Sequence, residues 1–387
     1  MRAWEIVHNR RVMFGDGKLA ELPGILSWYQ KKKVFLAASK SVLVNGTPAR
    51  EALSRTLAEA GIACFLYNEI SGEPDLHVIN RGRDLFLENG CDCCVAVGGG
   101  SVIDAVKAIG MLAVNGGMVE EYQMEGRQAT TVPPLFVAVP TTSGTGAEAT
   151  KTSVVVNNYN GLKKSLYHNT MIAEITILDP SLTANLPASI TSATGMDALS
   201  HAIESYVSLN ATPITRMYGL KAIELIKDAL PAAIEHPDDG EARGQMMLAS
   251  YMGGVAITAG IGIDHIMAQP LGGMYHIPHG DACSIFLPAA MELNLDYAES
   301  AYADIAKAFG VYDAAKSERE NALASIEAVR ALQNRINAPK SLRPYIPGEL
   351  PTREALIDVI QRTTGHITCN PRPLTEDLMW TIFNMVL

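Results

Sequence analysis

The chain has 387 residues, 48% of them hydrophobic and 19% charged, which excludes both a disordered composition and a membrane-embedded one. Its formal charge of −10, with Lys31-Lys32-Lys33 as the only basic run, argues against a nucleic-acid partner. The length suits two hydrophobic cores, so two domains are expected.

Met1 to Lys18 scatters charged residues among apolar ones and holds no apolar segment of the kind that directs export, so a reducing cytoplasm is the expected setting. Val34 to Ala38 is predicted as a strand, and Thr47-Pro48 as the cap of a helix stopping before Gly61. Ile62 to Tyr67 offers a second strand, Leu76 to Glu88 a helix closed by Gly90, and Cys94 to Val97 a third strand. Cys91, Cys93 and Cys94 fit this buried strand better than a metal or disulfide site, because reduced cysteine packs as a small hydrophobe. Leu135 to Val139 continues the strand and helix rhythm of a parallel sheet. Thr152 to Val156 and the segment from Leu162 should form a hairpin about Asn157 to Gly161. After Ile175 to Leu178 the texture turns helical, without a convincing strand. The expected domains are therefore 1–183, α/β, and 184–387, helical.

Two polar turns follow predicted strands. Val97 runs through Gly98-Gly99-Gly100-Ser101 into a helix carrying Asp104 and Lys107, where close backbone approach and a helix N-terminus suit a phosphate. The spacing is neither G-x-G-x-x-G nor a P-loop. Pro140-Thr141-Thr142-Ser143-Gly144-Thr145-Gly146-Ala147-Glu148 adds hydroxyls and ends in residues able to begin a helix. Two such turns on one sheet point to a dinucleotide more strongly than either alone.

Metal-ligand chemistry gathers further along. A helix over Thr194 to Glu204 puts Asp197 and His201 one turn apart on one face. Three of the nine histidines, His265, His276 and His279, fall within fifteen residues downstream. Imidazoles with one carboxylate suit Fe2+ or Zn2+ and do not suit Mg2+ or Ca2+. The plain alternative is a set of buried, hydrogen-bonded histidines.

These segments, with Pro278-His279-Gly280 and Cys369-Asn370-Pro371-Arg372, resemble the iron-containing, or group III, alcohol dehydrogenases across nearly the whole chain. The resemblance implies an α/β dinucleotide-binding domain with a parallel sheet, then an all-α metal-binding domain, as in dehydroquinate synthase. It implies Fe2+, or Zn2+, held by Asp197, His201, His265 and His279. NAD or NADP would be held by Gly98, Gly99, Gly100, Ser101, Asp104, Thr141, Thr142 and Thr145, with Lys163 or Lys164 near the ribose. The substrate would be a small alcohol or aldehyde, and the protein a homodimer or larger homo-oligomer with no membrane partner. Ser39 stands where the family usually has an Asp, so NADP(H) is expected to be tolerated, with Lys40 as a phosphate partner. Gln269 stands where many relatives carry a proton-relaying His, and glutamine does not titrate, which leaves water, a cofactor hydroxyl or His276 for that work. Rival readings are a glycerol dehydrogenase-like or dehydroquinate synthase-like enzyme, or a non-catalytic nucleotide or metal binder. The absence of a Lys and Arg cluster near the metal motifs disfavours the lyase.

Overall fold

The computed structural model describes residues 3–39, 48–364 and 368–387. Lys40 and the Thr47 cap therefore lie outside the described residues. Two compact units divide the chain, one formed by Glu5–Thr142 with Ala147–Asn185 and the other built on Leu186–Leu387 with Ser143–Gly146.

The first unit holds strands β1 (Arg11–Phe14), β2 (Lys33–Ala38), β3 (Ala63–Tyr67), β4 (Cys93–Gly98), β5 (Leu135–Pro140), β6 (Thr152–Val156), β7 (Lys163–Tyr167) and β8 (Ile175–Leu178). Its helices are α1 (Leu22–Trp28), α2 (Pro48–Glu59), α3 (Leu76–Glu88), α4 (Gly100–Asn115) and α5 (Val119–Met124). Six strands make one parallel sheet in the order β1-β8-β5-β4-β2-β3, while β6 and β7 form the expected antiparallel hairpin, Val154 opposite Ser165. Side chains alternate between faces along each strand, so a sheet covered on both sides needs apolar residues at every position. Phe35, Ala37, Cys94 and Ala96 enter one core with Ile79, Val106 and Ile109, and Val34, Leu36, Cys93 and Val95 enter another with Leu26 and Leu57. The run of cysteines is thus strand core, as its sequence suggested. Strand β1 was not foreseen, because as an edge strand only Met13 of its four residues is buried.

The second unit comprises α6 (Ala188–Val207), α7 (Pro213–Glu235), α8 (Gly240–Ala256), α9 (Ile263–Tyr275), α10 (His279–Phe309), α11 (Glu318–Arg335), α12 (Arg353–Thr364) and α13 (Glu376–Met385). No strand occurs among its described residues. One core joins Met196, Leu199, Ile203, Ile226, Leu287 and Ile326, and a second joins Ile266, Leu271, Phe286, Ile357, Ile382 and Phe383. Helix α6 is buried on nearly every side despite carrying Asp197, Ser200, His201, Glu204 and Ser205. Such polar groups inside a core demand partners. No single helix among the described residues is long and apolar enough to cross a membrane.

The turn after β5 does not open a helix as its sequence suggested. It makes one 3₁₀ turn at Ala147–Ala149 and returns to strand β6. Gly146, at φ +56°, packs so closely that an added Cβ would lie 2.5 Å from Gly254 Cα, which gathers Ser143–Gly146 with the helical unit. Thr145 therefore belongs to a different compact unit from Thr141 and Thr142.

Candidate functional site

Three helices bring the predicted metal ligands together. Helix α6 presents Asp197 and His201 one turn apart, α9 presents His265, and α10 begins at His279. The last placement requires glycine at 280, since a Cβ there would lie 1.9 Å from Ala193 O on α6. Asp197 Oδ1 is 3.6 Å from His201 Nε2, 3.4 Å from His265 Nε2 and 3.5 Å from His279 Nε2. The rings of His201 and His265 stack at 4.6 Å. All four groups are buried except His279, whose side chain is 35% exposed and marks the accessible side of the cluster.

Those separations test whether a cation fits. An N–H···O bond spans about 2.7–3.2 Å, and all three distances exceed it. Donors about 2.1 Å from one tetrahedral ion stand about 3.4 Å apart, which all three approach. The carboxylate and imidazole donors are those that Fe2+ and Zn2+ accept. Burial alone would push Asp197 up, but His201, His279 and His265 overcome it and hold the carboxyl far below its usual range. Burial pushes His201 down, favouring the neutral imidazole that a metal needs.

A second layer orients these ligands. Glu204, one turn after His201, accepts from His265 Nδ1 at 2.7 Å and from Asp264 N at 2.8 Å. With Nδ1 held by Glu204, Nε2 is the ring nitrogen that faces the cluster. Asn370 Oδ1 accepts from Ile263 N at 3.1 Å and from Asn294 Nδ2 at 3.0 Å, while Asn370 Nδ2 donates to Arg372 O at 2.7 Å. The Cys369 to Arg372 segment thus holds the first turn of the helix carrying His265. Sequence reading missed Glu204 and Cys283 as members of this neighbourhood. Their signals were present: Glu204 extends the Asp197 and His201 face, and Cys283 lies four residues after His279.

In the first unit, β4 delivers Gly98-Gly99-Gly100-Ser101 to the start of α4, whose Gly99 N-cap has no side-chain hydrogen bond. The first N–H groups of such a helix are donors for an anion. Thr141 N donates to Gly98 O at 3.0 Å, so the second turn abuts the first, and Ser39 N donates to Val97 O at 3.2 Å beside them. These contacts bring Ser39, the glycine loop, Thr141 and Thr142 to one end of the sheet, a fit for a dinucleotide. Asp104 is turned inward: its carboxylate receives Lys107 Nζ at 3.2 Å and Val154 N at 2.9 Å, a loop-anchoring placement. Lys163 pairs with Glu73 at 2.6 Å. Gln269 lies one helical turn past His265 and is partly exposed. His276 is exposed, closes α9 at φ 54° and ψ 35°, and belongs to neither buried acid and imidazole cluster.

A parallel-sheet unit with a glycine loop, and a helical unit with a carboxylate and three imidazoles, define a nicotinamide- and metal-dependent oxidoreductase. The chain belongs to the iron-containing alcohol dehydrogenase family, which matches residues 9–180, with the family's C-terminal part matching residues 191–387. The NAD-dependent methanol dehydrogenase of Bacillus methanolicus is 32% identical over 96% of this chain and 97% of its own. The lactaldehyde reductase of Escherichia coli (strain K12) is 31% identical over 97% of each chain. The solved structure of a 1,3-propanediol oxidoreductase covers 100% of both chains at TM-score 0.94 and 31% identity. The protein is therefore an iron-type, nicotinamide-dependent alcohol dehydrogenase that exchanges a hydride between its cofactor and an alcohol or aldehyde.

Proposed function

We propose that this dehydrogenase interconverts a short primary alcohol and its aldehyde, with Asp197, His201, His265 and His279 holding Fe2+. The observation that carries this assignment is the set of three imidazole nitrogens 3.4–3.6 Å from one buried carboxylate oxygen. The related methanol dehydrogenase, lactaldehyde reductase and propanediol oxidoreductase support the short substrate. When bound, the ion supplies Lewis-acid polarisation of the substrate oxygen and the nicotinamide supplies the hydride acceptor or donor.

The chain's own residues prepare the site. Asp197 stays anionic, and Glu204 fixes the His265 ring so that Nε2 faces the cluster. The nucleotide is assigned to Gly98 to Ser101, Thr141, Thr142 and Ser39, with Asp104 and Lys107 anchoring the loop beneath it. Ser39 offers a hydroxyl where a carboxylate would repel a 2′-phosphate, so NADPH should be accepted beside NADH. Water or a cofactor hydroxyl takes the alcohol proton, because Gln269 does not titrate and His276 lies outside the cluster.

We also propose a homo-oligomer in a reducing cytoplasm. The first is supported by edge strand β1, which exposes Val12 and Phe14, and the second by free Cys91, Cys93 and Cys94 buried as thiols.

The test is anaerobic oxidation of NADH and NADPH by metal-stripped protein reloaded with Fe2+ or Zn2+, against a panel of short aldehydes. Metal-restored turnover with both cofactors is expected. Turnover that survives stripping would overturn the metal assignment, and exclusive use of NADH would overturn the role given to Ser39.

A further inference from the structure

Helix α10 contributes to the metal cluster twice. His279 is its first residue, and Cys283, one turn later on the same face, is fully buried against the same groups. Cys283 Sγ lies 3.7 Å from each of Asp197 Oδ1, His265 Nε2 and His279 Nε2. One donor atom from each of these four residues falls within 4.8 Å of every other. Weak hydrogen bonds, with the thiol donating to Asp197 and accepting from the two rings, describe the cluster without an ion. A common ion brings the same atoms to nearly these separations, since ligands at about 2.0–2.1 Å for nitrogen or oxygen and about 2.3 Å for sulfur place tetrahedral donors about 3.3–3.6 Å apart.

We propose that Cys283 is a metal donor, completing a site with Asp197, His265 and His279 and competing with His201 for the fourth position. The inference rests on the metal assignment above. Cys283 Sγ at 3.7 Å and His201 Nε2 at 3.6 Å both approach Asp197 Oδ1, so a tetrahedral ion has five candidate donors for four positions, and the nature of the ion decides which is used. A sulfur donor favours thiophilic ions such as Zn2+ or Co2+, whereas the imidazole of His201 suits Fe2+. On coordination, the Cys283 thiol gives its proton to the buffer and the sulfur lone pair forms the bond to the ion, with no change of oxidation state. The bound ion in turn blocks the thiol from oxidants.

The experiment uses the full chain loaded with Co2+, whose visible bands report occupancy and whose near-ultraviolet sulfur-to-cobalt charge-transfer band reports a thiolate ligand. The wild type should show both at one ion per chain. Cys283→Ser and Cys283→Ala should keep the visible bands and lose the near-ultraviolet one, and in competition each should shift the Zn2+ over Fe2+ preference about tenfold towards Fe2+. Visible bands at full occupancy without the charge-transfer band in the wild type would overturn the proposal and leave the metal assignment standing. A charge-transfer band that persists in both variants would likewise overturn it, by assigning the sulfur to another cysteine. Failure of the wild type to take up Co2+, Zn2+ or Fe2+ would overturn both. Should either variant fail to fold, the wild-type spectrum alone decides.

Discussion

Each unit buries a cluster of ionisable side chains beside a functional turn, and the two clusters are built on opposite principles. In the first unit, Lys107 Nζ reaches Asp104 Oδ1 at 3.2 Å, Thr150 Oγ1 at 2.9 Å and Thr152 O at 2.6 Å. Val154 N donates to the other Asp104 oxygen at 2.9 Å, and Ser153 Oγ donates to Asp104 O at 2.8 Å. Every donor finds an acceptor, and the network is closed. In the second unit, Asp197 and its three histidines stand too far apart to satisfy one another and at the right spacing to share an ion. Buried charge alone does not mark a site. The spacing within the cluster separates a strut, which ties α4 to the β6 hairpin, from a receptor for a cation.

The contrast is broken most severely at Asp197. Asp197→Asn should abolish metal retention, measured as ions per chain, and lower turnover on the order of 10³-fold or more, because several kcal/mol of transition-state stabilisation leave with the ion. Far-ultraviolet circular dichroism should stay unchanged.

The strut should respond in stability rather than in metal content. Lys107→Met leaves Asp104 buried without its counter-charge and is expected to cost about 3–5 kcal/mol in urea unfolding, while folded protein keeps its metal. Metal loss without destabilisation would reverse the two assignments.

Glu148 joins the first cluster, where burial pushes its carboxyl up to about 7. A folded pKa above the unfolded one, about 4.3, means that the folded chain binds the extra proton between them. That stabilisation is complete below the unfolded value and is lost as pH rises through 7, amounting to about 4 kcal/mol. Glu148→Gln should remove this slope, so urea unfolding should show the variant gaining on the wild type between pH 5 and pH 8.

Around the metal cluster, Glu204→Gln should free the His265 ring to choose the other tautomer and weaken metal binding about 10–100-fold in chelator competition. Unchanged affinity would remove Glu204 from the positioning role. The smallest effect is expected at His276: His276→Gln should leave the pH–rate profile in place, and a displaced acidic or basic limb would restore it as a proton carrier.

Much of this architecture was legible in the chain, and for local reasons. Alternating or continuous apolar runs forecast β2 to β5 and β8, the Asn and Gly turn forecast the β6 and β7 hairpin, and Asp75 caps α3 at Val78 N at 2.8 Å where the predicted helix begins. The metal residues announced themselves through four-residue spacing and clustered histidines. Strand β1 did not, since an edge strand presents a surface-like pattern.

The sequence by itself determined the class of the protein, its α/β and helical halves, and the residue types that meet a metal and a nucleotide, because periodicity, turn chemistry and ligand type are properties of short segments. Only the tertiary structure decided that Asp104 spends its charge on Lys107, that Thr145 packs with the helical unit, that Glu204 steers His265, and that Cys283 joins the metal cluster while His276 stays outside it. Those outcomes depend on where helices and strands distant in sequence converge, and a separation of 2.7 or 3.7 Å between them is set by packing that no single segment contains.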